Sequence, residues 1–190
     1  MSSEYDRYKV IVAGDSELGY SLCAKLTNES VRYPRKLAAQ ALASDWPEVD
    51  WTKFMSVSVH GEITTMELDL ELHGPWVWEL YNVMQPRDYY RRFDAAIIVA
   101  NPRDPDSFAH IPELVDAIRA HIDREIPTFL VGESSLDLSD EERKRIIELG
   151  TLLDLPVKMA NVETGENIDQ VFRELAIDIQ VDKEAGIIGS

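Results

Sequence analysis

Apolar positions change their period in a regular way along this chain. Tyr8-Lys9-Val10-Ile11-Val12-Ala13 is a short apolar run ending at Gly14, and an apolar helical stretch through Leu22 and Leu26 follows it. That order predicts strand, tight loop, helix. Residues 28–52 are polar and punctuated by proline, with an Ala-rich stretch from Lys36 to Ala43 that suits one extra helix. Phe54 to Val59 and Ile63 to Leu72 then alternate around His60-Gly61-Glu62, which predicts an antiparallel hairpin with Met66, Leu68, Leu70 and Leu72 on one face. Ala95 to Ala100 and Thr128 to Val131 read as buried strands, and Pro156 to Met159 as a weaker one. Each precedes a helical pattern. Ile111, Leu114, Val115, Ile118 and Ile122 form one stripe, and Ile168, Val171, Phe172, Leu175 and Ile179 another. Ser139-Asp140-Glu141-Glu142 has capping-box spacing ahead of Ile146, Ile147 and Leu153. Alternation of this kind implies an α/β fold with a mostly parallel sheet covered on both faces, and ligands at the carboxyl ends of its strands.

Length and composition narrow the picture. At 190 residues one domain suffices. The net charge of −16, spread along the chain, repels nucleic acid and anionic membrane alike, and it also suits a salty cytoplasm. Cys23 is the single cysteine, so no internal disulfide or cysteine metal site is expected, and a reducing cytoplasmic setting is. No stretch approaches the ~20 apolar residues of a membrane span, and Glu184 to Ser190 offers no cysteine for a prenyl anchor. No direct membrane anchor is therefore expected.

The run from Lys9 to Ser21, KVIVAGDSELGYS, resembles the opening of a Rab or Ras protein, whose pattern there is KVVLLGDSGVGKS. Tyr89-Tyr90-Arg91-Arg92-Phe93-Asp94 followed by Ala95 to Val99 is similar to the approach to that family's fourth strand. Asp104 to Phe108 with Ile111-Pro112 resembles the start of its third helix, and Thr164 to Phe172 its last helix. The resemblance implies a Ras-like P-loop NTPase fold over residues 8–181: a mostly parallel six-stranded sheet, one strand antiparallel, helices on both faces. Residues 1–7 and 182–190 are expected to be tails.

The resemblance also implies a site, and this chain departs from it at each motif. In a working phosphate loop the backbone and two glycines cradle the phosphates, a lysine neutralises them and a Ser or Thr hydroxyl binds magnesium. Gly14, Gly19 and Ser21 keep their places, but Tyr20 stands where the lysine belongs and Glu17 adds a carboxylate. Like charges a few ångströms apart cost about 1–4 kcal/mol. The Asp-x-x-Gly-Gln motif reads Glu71-Leu72-His73-Gly74-Pro75, so Glu71 and Gly74 survive as a degenerate metal approach. Pro75 has no amide to orient water. The guanine-selecting Asn-Lys-x-Asp falls on Glu133-Ser134-Ser135-Leu136, with Asp137 one place along as a shifted base contact. Ser-Ala-Lys reads Asn161-Val162-Glu163.

Three functions remain in view. A nucleotide-independent interaction or scaffold module needs no cofactor. It would bind a protein through the switch-like segments that hold all four tryptophans, Trp46, Trp51, Trp76 and Trp78, with another GTPase or a GTPase regulator as partner. Alternatively those indoles pack inward. An unorthodox GTPase would hold GTP or GDP with magnesium on Ser21, Glu71 and Asp137. The third function is binding of another small ligand. Tyr20 either plugs the phosphate site or is an exposed replacement, and Arg91 and Arg92 are expected on a solvated face.

Overall fold

A computed structural model of the chain describes residues 5–28, 50–73, 90–134 and 138–188. β1 (Asp6–Gly14) leads into α1 (Ser16–Thr27), and β2 (Asp50–Val59) and β3 (Glu62–His73) form the hairpin. β4 (Ala95–Ala100), α2 (Pro105–Ala109), α3 (Ile111–His121), β5 (Thr128–Glu133), α4 (Asp140–Leu153), β6 (Val157–Ala160) and α5 (Ile168–Glu184) complete the order. The six strands lie in the order β2-β3-β1-β4-β5-β6. Among the described residues, the β2–β3 pair alone is antiparallel. The expected architecture is therefore the observed one.

Local chemistry explains most boundaries. His60 and Gly61 take positive φ, +51° and +88°, which is the two-residue turn whose twist matches a hairpin. Ser139 and Glu142 form the reciprocal capping box at α4. Asn28 and Asp154 close α1 and α4 in the left-handed region, their N–H groups returning to carbonyls of the last turn. α2 and α3 break at His110, because Pro112 in the first turn of α3 has no N–H to continue a helix. β2 starts at Asp50, earlier than the alternation suggested: Asp50, Trp51, Thr52 and Lys53 pair with Glu71, Leu70, Asp69 and Leu68. Ordered structure also reaches into both expected tails. β1 begins at Asp6, α5 runs to Glu184, and Ile188 is buried in the core after a turn at Gly186. The expected helix from Lys36 to Ala43 lies outside the described residues.

Each face of the sheet has its own core. On one, Tyr8, Val10 and Val12 of β1 and Leu68 and Leu70 of β3 pack with Leu22, Cys23 and Leu26 of α1 and with Phe172, Leu175 and Ile179 of α5. On the other, Ile11 and Ala13 pack with Phe93, α3 and α4. The amino end of β4 is locked: Asp94 accepts from the Lys9 N–H at 2.9 Å and from Arg124 at 2.9 Å. The opposite, carboxyl end of the strands is where a ligand would sit.

Candidate functional site

The phosphate-loop sequence does not form a cradle. Gly14, with φ +106°, is pressed so close to β4 that an added Cβ would lie 2.3 Å from the Val99 carbonyl oxygen. The Asp15 N–H donates to that carbonyl at 2.9 Å, and the helix begins at once with Ser16. Residues that would wrap an anion are thus already in the first turn of α1. The Asp15 carboxylate accepts from the amides of Glu17 at 3.1 Å and Leu18 at 3.0 Å. It is the helix's own anion, an N-cap contributing about 1 kcal/mol, and it takes the N–H groups a phosphate would need. Gly19 serves packing: a Cβ there would meet the Leu72 side chain at 2.8 Å.

Tyr20 is half-buried and sets its ring edge-on to Trp51, 5.3 Å between centroids at 75°. Trp51, 1% exposed, belongs to the core under α1, so of the two readings of this indole the inward one holds and it offers no surface to a partner. Among the described residues its ring N–H has no acceptor, a penalty of about 1–3 kcal/mol that burial of the ring offsets. Ser21 is buried within α1. Lys53 donates to the Leu26 carbonyl at 2.9 Å and ties the far end of α1 to the same strand.

Glu71 lies on the wrong side of the sheet for a shared magnesium. Side chains alternate along a strand, and Leu70 and Leu72 face α1. Glu71 therefore faces the opposite core, where His73 Nε2 lies 3.0 Å from one carboxylate oxygen and Arg92 Nη2 donates to the other at 2.5 Å. His73 is buried edge-on against Phe93, 5.7 Å between centroids, with Arg92 above the same ring. Burial pushes the Glu71 carboxyl up, but the His73 and Arg92 contacts outweigh it and hold it below the ordinary carboxylate range. Arg91 and Arg92 are both exposed, as expected of a solvated face, and each is ion-paired, Arg92 with Glu71 and Arg91 with Asp123, both at 2.5 Å.

On the base side, the described residues at the ends of β5 and β6 bond to one another. Asn161 at the end of β6 donates its amide to the Ser134 carbonyl at 2.9 Å, and its side-chain oxygen accepts from the Glu163 and Thr164 N–H groups at 2.9 and 3.0 Å. Glu133 is buried at the end of β5. Gly74, Pro75, Leu136, Asp137, Trp46, Trp76 and Trp78 lie outside the described residues. Among the described ones, the site residues expected from sequence divide between two faces: Gly19, Tyr20 and Ser21 on α1, Glu71 across the sheet. Residues the motif reading passed over, Asp15, His73, Arg92 and Asn161, hold the arrangement together. Of these, only Asp15 carried a signal, that of an Asp just ahead of a helix. Among the described residues, the first-turn amides hold Asp15, and Ser21 and Glu71 lie on opposite faces of the sheet.

The model of the Ras family matches residues 52–181, more than half of the chain, and the chain belongs to that family. Among curated relatives, the Ras-related protein SEC4 of Candida albicans is 27% identical over 106 residues, 53% of this chain and 50% of that protein. The Ras-related protein RABA4b of Arabidopsis thaliana is 25% identical over 171 residues, 84% of this chain and 68% of that protein. The chain thus spans about half the length of the SEC4 proteins it matches.

Proposed function

We propose that this Ras-family domain is a nucleotide-independent protein-interaction module that neither holds GTP nor hydrolyses it. The observation that carries the reading is the Asp15 carboxylate on the first-turn amides of α1, with that turn wound into helix. A bound triphosphate must displace that cap, unwind the turn and sit beside Glu17, without the lysine that Tyr20 replaces. Glu71 adds support, since its charge is already neutralised by Arg92 on the far face. In its relatives' family a nucleotide steadies the loop and switch strand; here Tyr20 against Trp51 and Lys53 on the end of α1 do so. The partner is a protein, with another GTPase or a GTPase regulator the leading class, and no cofactor takes part.

The rival reading, an unorthodox GTPase, requires Ser21, Glu71 and Asp137 around one nucleotide. Thermal unfolding with GTP, GDP and magnesium separates the two. Ligand at a hundred times its dissociation constant adds about 2.7 kcal/mol to the stability of a protein that binds it. The expected result is no shift with any of them and no nucleotide in extracts of the purified protein. Stoichiometric nucleotide, or a magnesium-dependent shift, overturns the proposal.

A further inference from the structure

We propose that β2 is the seam of a symmetric dimer, in which a second copy of this chain adds its own β2 antiparallel to the first; this holds whether or not nucleotide binds. Among the described residues β2 is an edge of the sheet, ten residues long. Edges of that length are normally blunted by charge or proline, because unpaired N–H and C=O groups invite another strand. Here Trp51 to Gly61 contains no acid and no proline. Its one fixed charge, Lys53, is turned back to donate to the Leu26 carbonyl at 2.9 Å, so it does not guard the edge. The outward row is Thr52, Phe54, Ser56 and Ser58, all exposed, with Phe54 54% exposed and Tyr5 edge-on to it at 5.8 Å. Arg173 donates to the Ser56 carbonyl at 2.8 Å, which leaves that oxygen a second lone pair.

Charge and symmetry choose the occupant. Each copy carries −16, so most pairings of two copies oppose carboxylates; the strip from Trp51 to Gly61 is acid-free, and the two acids beside it, Asp69 next to Thr52 and Asp169 on Arg173, are each ion-paired within their own copy, with Arg7 and Arg173. The strip is also self-matching about Phe54. Antiparallel pairing centred there sets Phe54 opposite itself and Thr52 opposite Ser56 of the second copy, as an isologous interface requires. The hairpin already contains such a hydroxyl pair, Ser56 to Thr65 at 2.8 Å.

Sedimentation of the full chain over a range of concentrations, at low and high salt, tests this. The expected mass rises toward twice that of the monomer, and more readily in high salt, where screening weakens the repulsion. Phe54→Lys and Ser56→Pro should each return the chain to monomer while its far-ultraviolet circular dichroism and melting stay near wild type; Leu152→Lys, at an exposed apolar site on α4, should leave the dimer intact. Under mild oxidation Phe54→Cys should form an interchain disulfide, since opposed residues in an antiparallel pair are about 5 Å apart at Cα. Ser58→Cys, set opposite Asp50, should not. A monomer at every concentration and salt overturns the proposal, as does a dimer that both edge variants leave unchanged or a Ser58→Cys disulfide as ready as that of Phe54→Cys.

Discussion

The two sides of β3 differ in kind. Toward α1 it presents Leu68, Leu70 and Leu72, an apolar row of the sort any buried strand carries. Away from α1 it presents Glu67, Asp69, Glu71 and His73, each carboxylate with a cation: Arg7 with Glu67 at 2.7 Å and Asp69 at 2.9 Å, Arg92 with Glu71 at 2.5 Å. The motif that in the family approaches the metal belongs to the second row. An acid serves a site only if the strand's parity aims it there, and here parity has given Glu71 to an internal ion pair.

Four experiments test or refine that contrast. Leu70→Ala, at a fully buried position of the apolar row, should cost the most, about 2–5 kcal/mol in urea unfolding, from lost burial and a cavity. A smaller loss would mean that the row is not the packed interface described. Arg92→Ala should cost less, about 1–2 kcal/mol, because it removes a counter-ion from Glu71 while Arg92 itself is partly exposed. Glu71→Gln in the same background should recover part of that loss, and a simply additive double mutant would show that the pair is uncoupled. Asp15→Ala should cost about 1 kcal/mol through loss of the cap and still bring no response to GTP.

The pH dependence should be smallest, and two groups oppose each other in it. Glu71 is held below its ordinary range, so its contribution is present at neutral pH and lost as the pH falls through its folded value. Asp178 and Asp182 are pushed the other way, mainly by burial, with Asp182 adding to the effect on Asp178 and Glu125 to that on Asp182. Their ionisation opposes folding at neutral pH, and acid relieves it. Glu71→Gln should therefore flatten the acid loss of stability seen in urea midpoints, and Asp178→Asn should raise the neutral value.

Much of the fold was legible because it depends on periods. Alternation placed the hairpin and its inward row, helical stripes placed α3 and α5, and Ser139 with Glu142 announced α4. The site was less legible because motifs are aligned by residue type, whereas function depends on direction. The alternation that sends Leu70 and Leu72 inward already sends Glu71 outward, yet the resemblance alone leaves it in the metal approach. Gly14 and Gly19 suggest a cradle, but their closeness to Val99 and Leu72 is a property of tertiary packing that no local pattern carries. Trp51 reads as loop in the sequence because Asp50 to Lys53 looks polar, and pairing with β3 makes it strand.

Cys23 lies in the middle of α1, fully buried against the sheet, and burial pushes its thiol well above the ordinary range. In the folded protein it is chemically silent. A thiol reagent can reach it only when α1 lifts from β1 and β3, so the rate of its modification is a clock for that one event. α1 thus carries its own timer, and under the proposed function GTP should leave its rate unchanged.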